Sequence, residues 1–329
     1  MSVIRIRSNF ASLDKLSFPD VKVVHSRLSP EPGFFDSVRD AWRTQSGEFV
    51  LVNTDTGRLM ILCLMFILLP WRKVRLVSVD TLLLRPRSFG ERIKAVFKKL
   101  LLLRVDLFIL YFKDLRGYER YYGISPRRSV YVPFKVNTWE SLPSPPHPVR
   151  EGSTILFSGR TLRDVPTFLE ACKESGLPAV FLHQSNDVFE YHGTPLRDLK
   201  LPANVRDEVH DGKRSSWLEF ISNARLVVVP IQSGTISNAG ISTCLDAMAL
   251  GKCVIVSEGP ATRGVFSDEE VVLVPPGDPA ALADAMRRLW SDDALRNTIA
   301  ANGRRLALSL EGEERLLGDI VRVVATKAR

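Results

Sequence analysis

The residues best suited to chemistry in this chain lie between Ile231 and Asp246, in the stretch IQSGTISNAGISTCLD. It begins as a loop rich in Gly, Ser, Thr and Asn and is predicted to turn helical near Ser242. The first amides of a helix have no intrahelical acceptor, and the helix dipole favours negative charge at that end. Gly240 permits close backbone approach, Ile241 adds an amide, and Ser242 and Thr243 add hydroxyls, so Gly240–Thr243 suits an anion such as a diphosphate. Asp246 follows about one helical turn later, where a carboxylate can accept hydrogen bonds from a ribose. Upstream, Ser158-Gly159-Arg160 and Arg163 supply cations, and a guanidinium meets phosphate bidentately. The same residues also fit an ordinary helix N-cap and a solvated helix approach.

Two alternating series of strands and helices must position these groups. In the first half Val21–Ser26, Phe49–Thr54, Val74–Val79, Leu107–Phe112 and Ser129–Phe134 are short, apolar and rich in β-branched or aromatic residues, the pattern of buried strands. Helical stretches at Phe34–Thr44, Arg58–Leu69, Phe89–Arg104 and Gly117–Tyr122 separate them. In the second half strands are predicted at Thr154–Ser158, Ala179–His183, Arg225–Pro230, Cys253–Ser257 and Val271–Val274. Helices are predicted there at Val165–Ser175, Ser215–Ser222, Thr243–Leu250, Pro279–Trp290 and Asp293–Leu308. Such alternation implies parallel sheets covered on both faces, with ligands at the carboxyl ends of the strands. The expected domains are residues 1–140, a Pro-rich linker at 141–152, residues 153–310, and a C-terminal helix at 311–329 returning to the first domain. Pro143, Pro145, Pro146 and Pro148 carry the linker reading, since proline fits neither helix interior nor central strand.

The wider pattern around the helix start resembles the donor domain of glycosyltransferase family 4, the glycosyl transferases group 1. Asp246-Ala-Met-Ala-Leu-Gly-Lys-Cys-Val-Ile255, then Val274-Pro-Pro-Gly-Asp278 with its Ala-Leu-Ala helix, and the Ser158-Gly-Arg160 step are similar to that family's motifs over most of 152–308. The resemblance implies a GT-B fold, two Rossmann-like doubly wound domains facing each other across a cleft. It also implies a sugar donor activated as a nucleotide diphosphate, held by Arg160, Arg163 and Gly240–Thr243. Asp246 would take the place of the ribose-binding Glu. Asn238 would stand where the family has its first Glu and contact the sugar, keeping hydrogen bonding but losing charge. The family's Lys after Gly-Arg has no counterpart here, and Arg163 is the nearest cation.

In the first half, candidates come from strand ends. Asp80 closes VRLVSVD and Asp55 follows FVLVNT; either carboxylate could orient or deprotonate an acceptor hydroxyl, and either also suits an Asx turn. His25 ends a strand with a near-neutral pKa. Asn53 sits at a third strand end. Tyr118, Tyr121 and Tyr122 have the spacing of helix packing.

Bulk properties limit the rest. The 329 residues suit two domains, and a net charge of +8 favours acidic partners. Zinc spacings, an RNP pattern and a basic tail are all missing, so nucleic acid is not an expected partner. The four cysteines, Cys63, Cys172, Cys244 and Cys253, lie in apolar runs without CxxC spacing and are expected to be buried thiols, not metal ligands. No GxGxxG follows the first strand of either half, which speaks against a dehydrogenase. No secretory signal is visible in Met1–Asp20, and the apolar run at Met60–Leu69 is too short to span a bilayer. The enzyme is therefore expected to be cytoplasmic. Residues 85–104, RPRSFGERIKAVFKKLLLLR, form a basic amphipathic helix that would suit an anionic membrane surface at the inner face, or else cover the sheet. The expected activity is transfer from a nucleotide sugar to a glycan or lipid-linked acceptor, retaining, with no metal or further cofactor. A catalytically degenerate scaffold and a nucleotide-sugar epimerase on the same fold are the alternatives.

Overall fold

A computed structural model describes residues 2–18, 21–29, 33–142, 152–194, 196 and 199–328. The chain divides into two compact units, Met1–Pro133 with Glu314–Arg329, and Phe134–Glu313. The second unit thus starts at Phe134, ahead of the Pro-rich segment. Of the expected linker, residues 143–151 lie outside the described residues.

The first unit is built on a six-stranded sheet: β1 Ser2–Ser8, β2 Val21–Arg27, β3 Phe49–Val52, β4 Arg75–Val79, β5 Leu107–Leu110 and β6 Ser129–Tyr131. Their order is β2-β1-β3-β4-β5-β6, all parallel. Helices α1 Phe34–Arg43, α2 Thr56–Leu68, α3 Phe89–Leu102 and α4 Arg116–Tyr122 connect the strands, and α11 Glu313–Ala328 closes the chain. FVLV of β3 and LFIL of β5 are buried throughout, as strands covered on both faces must be. Between α1 and α2 an ion pair is fully enclosed: Arg58 Nη2 lies 2.8 Å from Asp40 Oδ2, with side chains 2% and 4% exposed. The same nitrogen donates to the Ser29 carbonyl at 2.8 Å, so the buried charge is hydrogen-bonded as well as paired.

The second unit carries β7 Ile155–Phe157, β8 Ala179–His183, β9 Val205–Val209, β10 Leu226–Val229, β11 Cys253–Ser257 and β12 Val272–Val274. The order is β12-β11-β10-β7-β8-β9, again all parallel. Its helices are α5 Val165–Ser175, α6 Asn186–Tyr191, α7 Arg214–Ser222, α8 Ile241–Ala249, α9 Pro279–Ser291 and α10 Asp293–Ser309. One core cluster joins Phe157, Phe168 and Phe181 to Leu282 and Met286 of α9. A second lies on the other side of the sheet, around Val227, Leu245 and Met248.

Three elements differ from expectation. β1 is a strand in which Ile4 and Ile6 are buried and Val3 and Arg5 are exposed, a period-2 pattern that the two arginines disguised as a basic terminus. β9 reads VRDEV; it is the outer strand beyond β8, and its exposed charges blunt the sheet edge. α6 is a six-residue helix between β8 and β9 with little periodicity to announce it. All four cysteines are free and buried.

Candidate functional site

In both sheets the chain reverses its direction of travel, and each reversal opens a crevice at the carboxyl ends of two adjacent parallel strands, where open α/β sheets bind ligands. In the second unit those strands are β7 and β10. The loop after β7 is Ser158–Asp164 and the loop after β10 is Pro230–Gly240, so the structure sets the two segments of greatest chemical promise side by side. They are stitched together: Asp164 N donates to Pro230 O at 3.0 Å, and Gln232 N to Leu162 O at 2.9 Å.

The helix start has the form that the sequence suggested. Gly240 adopts a left-handed φ of 99° and precedes α8 with no side chain capping the helix. A β-carbon at Gly240 would stand 3.0 Å from Ile231 Cδ1 and 3.2 Å from Val229 Cγ1, so its absence lets the helix press onto β10. Gly240, Ile241 and Thr243 are buried, and Ser242 and Asn238 are half-buried. Asn238 accepts from Ile241 N at 3.3 Å through its carbonyl. Nearby, the Ser237 hydroxyl is enclosed with no hydrogen-bond partner.

The two arginines separate. Arg160 is exposed and donates to Gln184 Oε1 at 3.1 Å, just after β8, on the side of β7 away from β10. Arg163 departs from the expected role as a second phosphate cation. Only 3% exposed, it donates to Ser158 O at 2.9 Å, to Thr161 O at 2.8 Å and to Thr243 Oγ1 at 3.0 Å. Burial brings its guanidinium down to about 10. Each of its three guanidinium nitrogens donates to a protein acceptor, which ties the β7 loop to the first turn of α8. Gly159 makes room for it: φ is 95°, and an added β-carbon would meet Arg163 Nη2 at 1.9 Å.

Asp246 also departs from expectation. It is 2% exposed and accepts from Thr138 N at 2.9 Å and from Thr138 Oγ1 at 3.0 Å. Burial pushes its carboxyl up to about 6, against the opposing pull of the Thr138 hydrogen bonds and of the Asn137 amide. Aspartate is one methylene shorter than glutamate, and here it stays against the helix and holds the segment that enters this unit. Thr138 was not foreseen, since nothing local in NTWE marks a partner 108 residues away. Thr194, which takes Arg163 N at 2.8 Å and donates to Arg160 O at 2.6 Å, was likewise missed.

In the first unit the reversal lies between β1 and β3. Asn53 N donates to Asn9 Oδ1 at 2.9 Å across it. His25 Nε2 lies 2.8 Å from Ser8 Oγ, and its Nδ1 meets the Asp14 carboxylate. Both ring nitrogens are therefore engaged, and hydrogen bonds from His25 and Arg27 hold Asp14 below the usual carboxylate range. Asp80 ends β4 with a left-handed φ of 52°, a strained conformation for a residue with a side chain. Asp55 caps α2 by accepting from Arg58 N at 3.0 Å. Tyr118 and Tyr122 are packed, their hydroxyls donating to Thr81 O and Leu84 O at 2.6 Å. Among the described residues no group of three or more His, Cys, Asp or Glu side chains is placed to hold a metal.

Two parallel six-stranded sheets, each flanked by helices, match solved GT-B structures. HepE from Anabaena in complex with UDP superposes with a TM-score of 0.68 at 13% identity, over 99% of this chain and all of that one. Sucrose-phosphate synthase from Thermosynechococcus elongatus gives 0.65 at 18%, over 99% of this chain and 89% of that one. The lipopolysaccharide outer core galactosyltransferase WaaB gives 0.62 at 12%, over 99% and 100%. The fold is GT-B.

Residues 194–306 match the model of the family glycosyl transferases group 1. Over 189 residues, 53% of this chain, the sequence is 31% identical to a phosphatidyl-myo-inositol mannosyltransferase of Mycobacterium leprae (strain TN). The match spans about half, 48%, of that relative's length.

Proposed function

We propose that this protein is a glycosyltransferase that moves a sugar from a nucleotide-diphosphate donor to an acceptor hydroxyl. The carrying observation is the β7–β10 crevice, where an uncapped helix start stands beside the Gly159-Arg160 step within a glycosyl transferases group 1 segment. The donor diphosphate would lie on the amides of Ser242 and Thr243, and on that of Ile241 once it leaves the Asn238 carbonyl, with Arg160 turned from Gln184 as counter-charge; fixed dipoles of this kind stabilise the leaving diphosphate as charge develops. Asn238, half-buried at the loop, would contact the sugar. Asp246 would act through the Thr138 segment or turn towards the ribose after letting it go. Retention of configuration is the outcome expected from the resemblance, and helix amides plus Arg160 supply the charge stabilisation without calling on a metal. His25, within β2, and Asp80, at the end of β4, are the candidates to orient the acceptor. The complex of HepE with UDP supports a uridine diphosphate as the first ligand to test. Calorimetric titration with UDP should give saturable binding that Arg160→Ala weakens; unchanged affinity would refute Arg160's role. Turnover of radiolabelled UDP-sugars, slow hydrolysis included, separates an enzyme from a scaffold, the alternative that Asn238 in place of a glutamate keeps open.

A lipid-linked acceptor at the inner face of a membrane fits the helices of the first unit. On α3, Phe89, Val96, Phe97 and Leu100 are exposed, with Phe89 at 79%, among Arg92, Lys94, Lys98 and Lys99. Beside it α2 exposes Leu64, Ile67 and Leu68, with Trp71 just beyond the helix. Apolar side chains at helical spacing between cations are the pattern of an interfacial helix on anionic lipid. Among the described residues no helix is long and apolar enough to cross a bilayer. Vesicles containing phosphatidylserine should retain the protein at low salt, and Lys98→Glu with Lys99→Glu should release it. Equal retention by neutral vesicles would count against the reading.

A further inference from the structure

The segment between β4 and α3, Thr81–Ser88, belongs to neither helix nor strand, yet its first half is tied down residue by residue. Tyr118 Oη donates to Thr81 O at 2.6 Å and accepts from Leu83 N at 3.0 Å. Tyr122 Oη donates to Leu84 O at 2.6 Å, and Thr56 Oγ1, in the first turn of α2, donates to Leu82 O at 3.0 Å. Burial raises both phenols above their ordinary range, so they stay protonated donors. A backbone held in this way fixes which side chains face inward. Leu83 and Pro86 are buried, whereas Leu82, Leu84, Arg85 and Arg87 are exposed. On a loose loop such leucines could fold back onto the surface; on this one they are kept in solvent, the mark of a contact surface.

The apolar row continues into α3. Phe89, Ile93, Val96 and Leu100 follow one another at helical spacing, all exposed, while Ala95 and Leu102 on the other side of the helix are buried. Cations are set beside the row. Among the described residues none of Arg85, Arg87 and Arg92 forms an ion pair. The Glu91 carboxylate nearby is turned to the amides of Arg87 and Ser88, at 2.6 and 3.1 Å. Apolar side chains flanked by guanidinium groups suit an amphiphile with an anionic head: the chain lies on carbon, and a phosphate meets the planar forks. A second copy of the same face would instead set cation against cation.

We propose that the loop from Thr81 to Arg87 is a binding site for a lipid phosphate, with Leu82 and Leu84 against the chain and Arg85 and Arg87 on the phosphate. The loop follows the carboxyl end of β4, where open α/β sheets bind ligands, and Asp80 stands at its start. Calling the bound lipid the acceptor rests on the transferase reading; the binding site itself does not. The site takes one molecule, whereas the α3 stripe would meet a bilayer as a surface.

The test is calorimetric titration of the full chain, with every probe below its critical micelle concentration. Farnesyl phosphate and dihexanoyl phosphatidate represent isoprenoid and glycerolipid sources; farnesol and inorganic phosphate are the separate halves. At least one lipid phosphate should bind saturably and about tenfold or more tighter than either half, because the two contacts are joined in one ligand. Leu82→Ser with Leu84→Ser, and Arg85→Gln with Arg87→Gln, should each weaken that binding about tenfold or more. Lys98→Glu with Lys99→Glu, on α3, should leave it within about twofold. Thermal melts check that the variants fold; Leu82→Thr with Leu84→Thr, or Arg85→Ala with Arg87→Ala, replaces a pair that does not. The proposal falls if neither lipid phosphate binds better than its halves, if folded loop variants bind as well as wild type, or if the α3 variant loses as much as they do. It falls too if sizing shows a dimer that the loop variants dissociate, since the face would then belong to a second copy. UDP affinity should be unchanged in the loop variants; failure of UDP to bind wild type would sink the donor-site reading and leave the lipid titrations intact.

Discussion

Replacing Asp246 by asparagine should change how stability depends on pH, and by a calculable amount. The carboxyl lies at about 6 in the folded protein, above the usual 3.8. The fold therefore favours the neutral acid: the contribution of this residue is fully present below pH 3.8 and is lost as pH rises through 6. A gap of that size is worth about 3 kcal/mol. The asparagine side chain has no proton to lose, and its carbonyl can still accept from Thr138 N and Oγ1. Urea unfolding of both proteins, read across about pH 3.5 to 7, isolates the effect. Asp14, Glu91, Asp211 and Asp293, held below the usual carboxylate range, give slopes of the opposite sign, but they are common to both proteins and cancel in the difference. The stability of wild type relative to Asp246→Asn should fall by about 3 kcal/mol over that range. A difference that stays flat with pH would refute the view that Asp246 is buried and proton-linked, and would return it to the surface as a free ribose ligand.

Further outcomes follow from single contacts. Gly159→Ala should cost about 2 kcal/mol or more and lower Tm by several degrees, because the new methyl group occupies the place of the Arg163 guanidinium; a melt within a degree of wild type would contradict it. Arg58→Ala strands Asp40 in the core and should cost about 3–5 kcal/mol, whereas Arg58→Met with Asp40→Leu should cost much less, measured by denaturant titration. Ser88→Ala removes one half of the capping box with Glu91 and should cost about 1 kcal/mol, read by the same titration.

Most of the architecture was legible because apolar runs of four to six residues announce parallel strands, and because Asp164, Asp278 and Asp292 cap α5, α9 and α10 where the sequence placed their starts. β1 and β9 were not, since their strand state comes from pairing with a neighbour and their charges conceal it. At the site, the Gly240 turn and a helix start near Ser242 were readable from residue type, whereas the absence of a side-chain cap was not. The fates of Arg163 and Asp246 were not, because each is decided by a partner far along the chain, Thr243 in one case and Thr138 in the other. Two arginines three residues apart look alike in sequence; in the fold the guanidinium of Arg163 fills the space that a side chain at position 159 would take.

The stitching between the β7 and β10 loops has a kinetic corollary. With Asp164 bound to Pro230, Gln232 to Leu162, and Arg163 reaching Thr243, the two lips of the crevice form one braced rim. A nucleotide arriving there would find its amides already aimed, with no loop ordering to fund from the binding energy. Association with this unit should therefore proceed in a single fast phase, and amide exchange along the rim should be slow before any ligand is added.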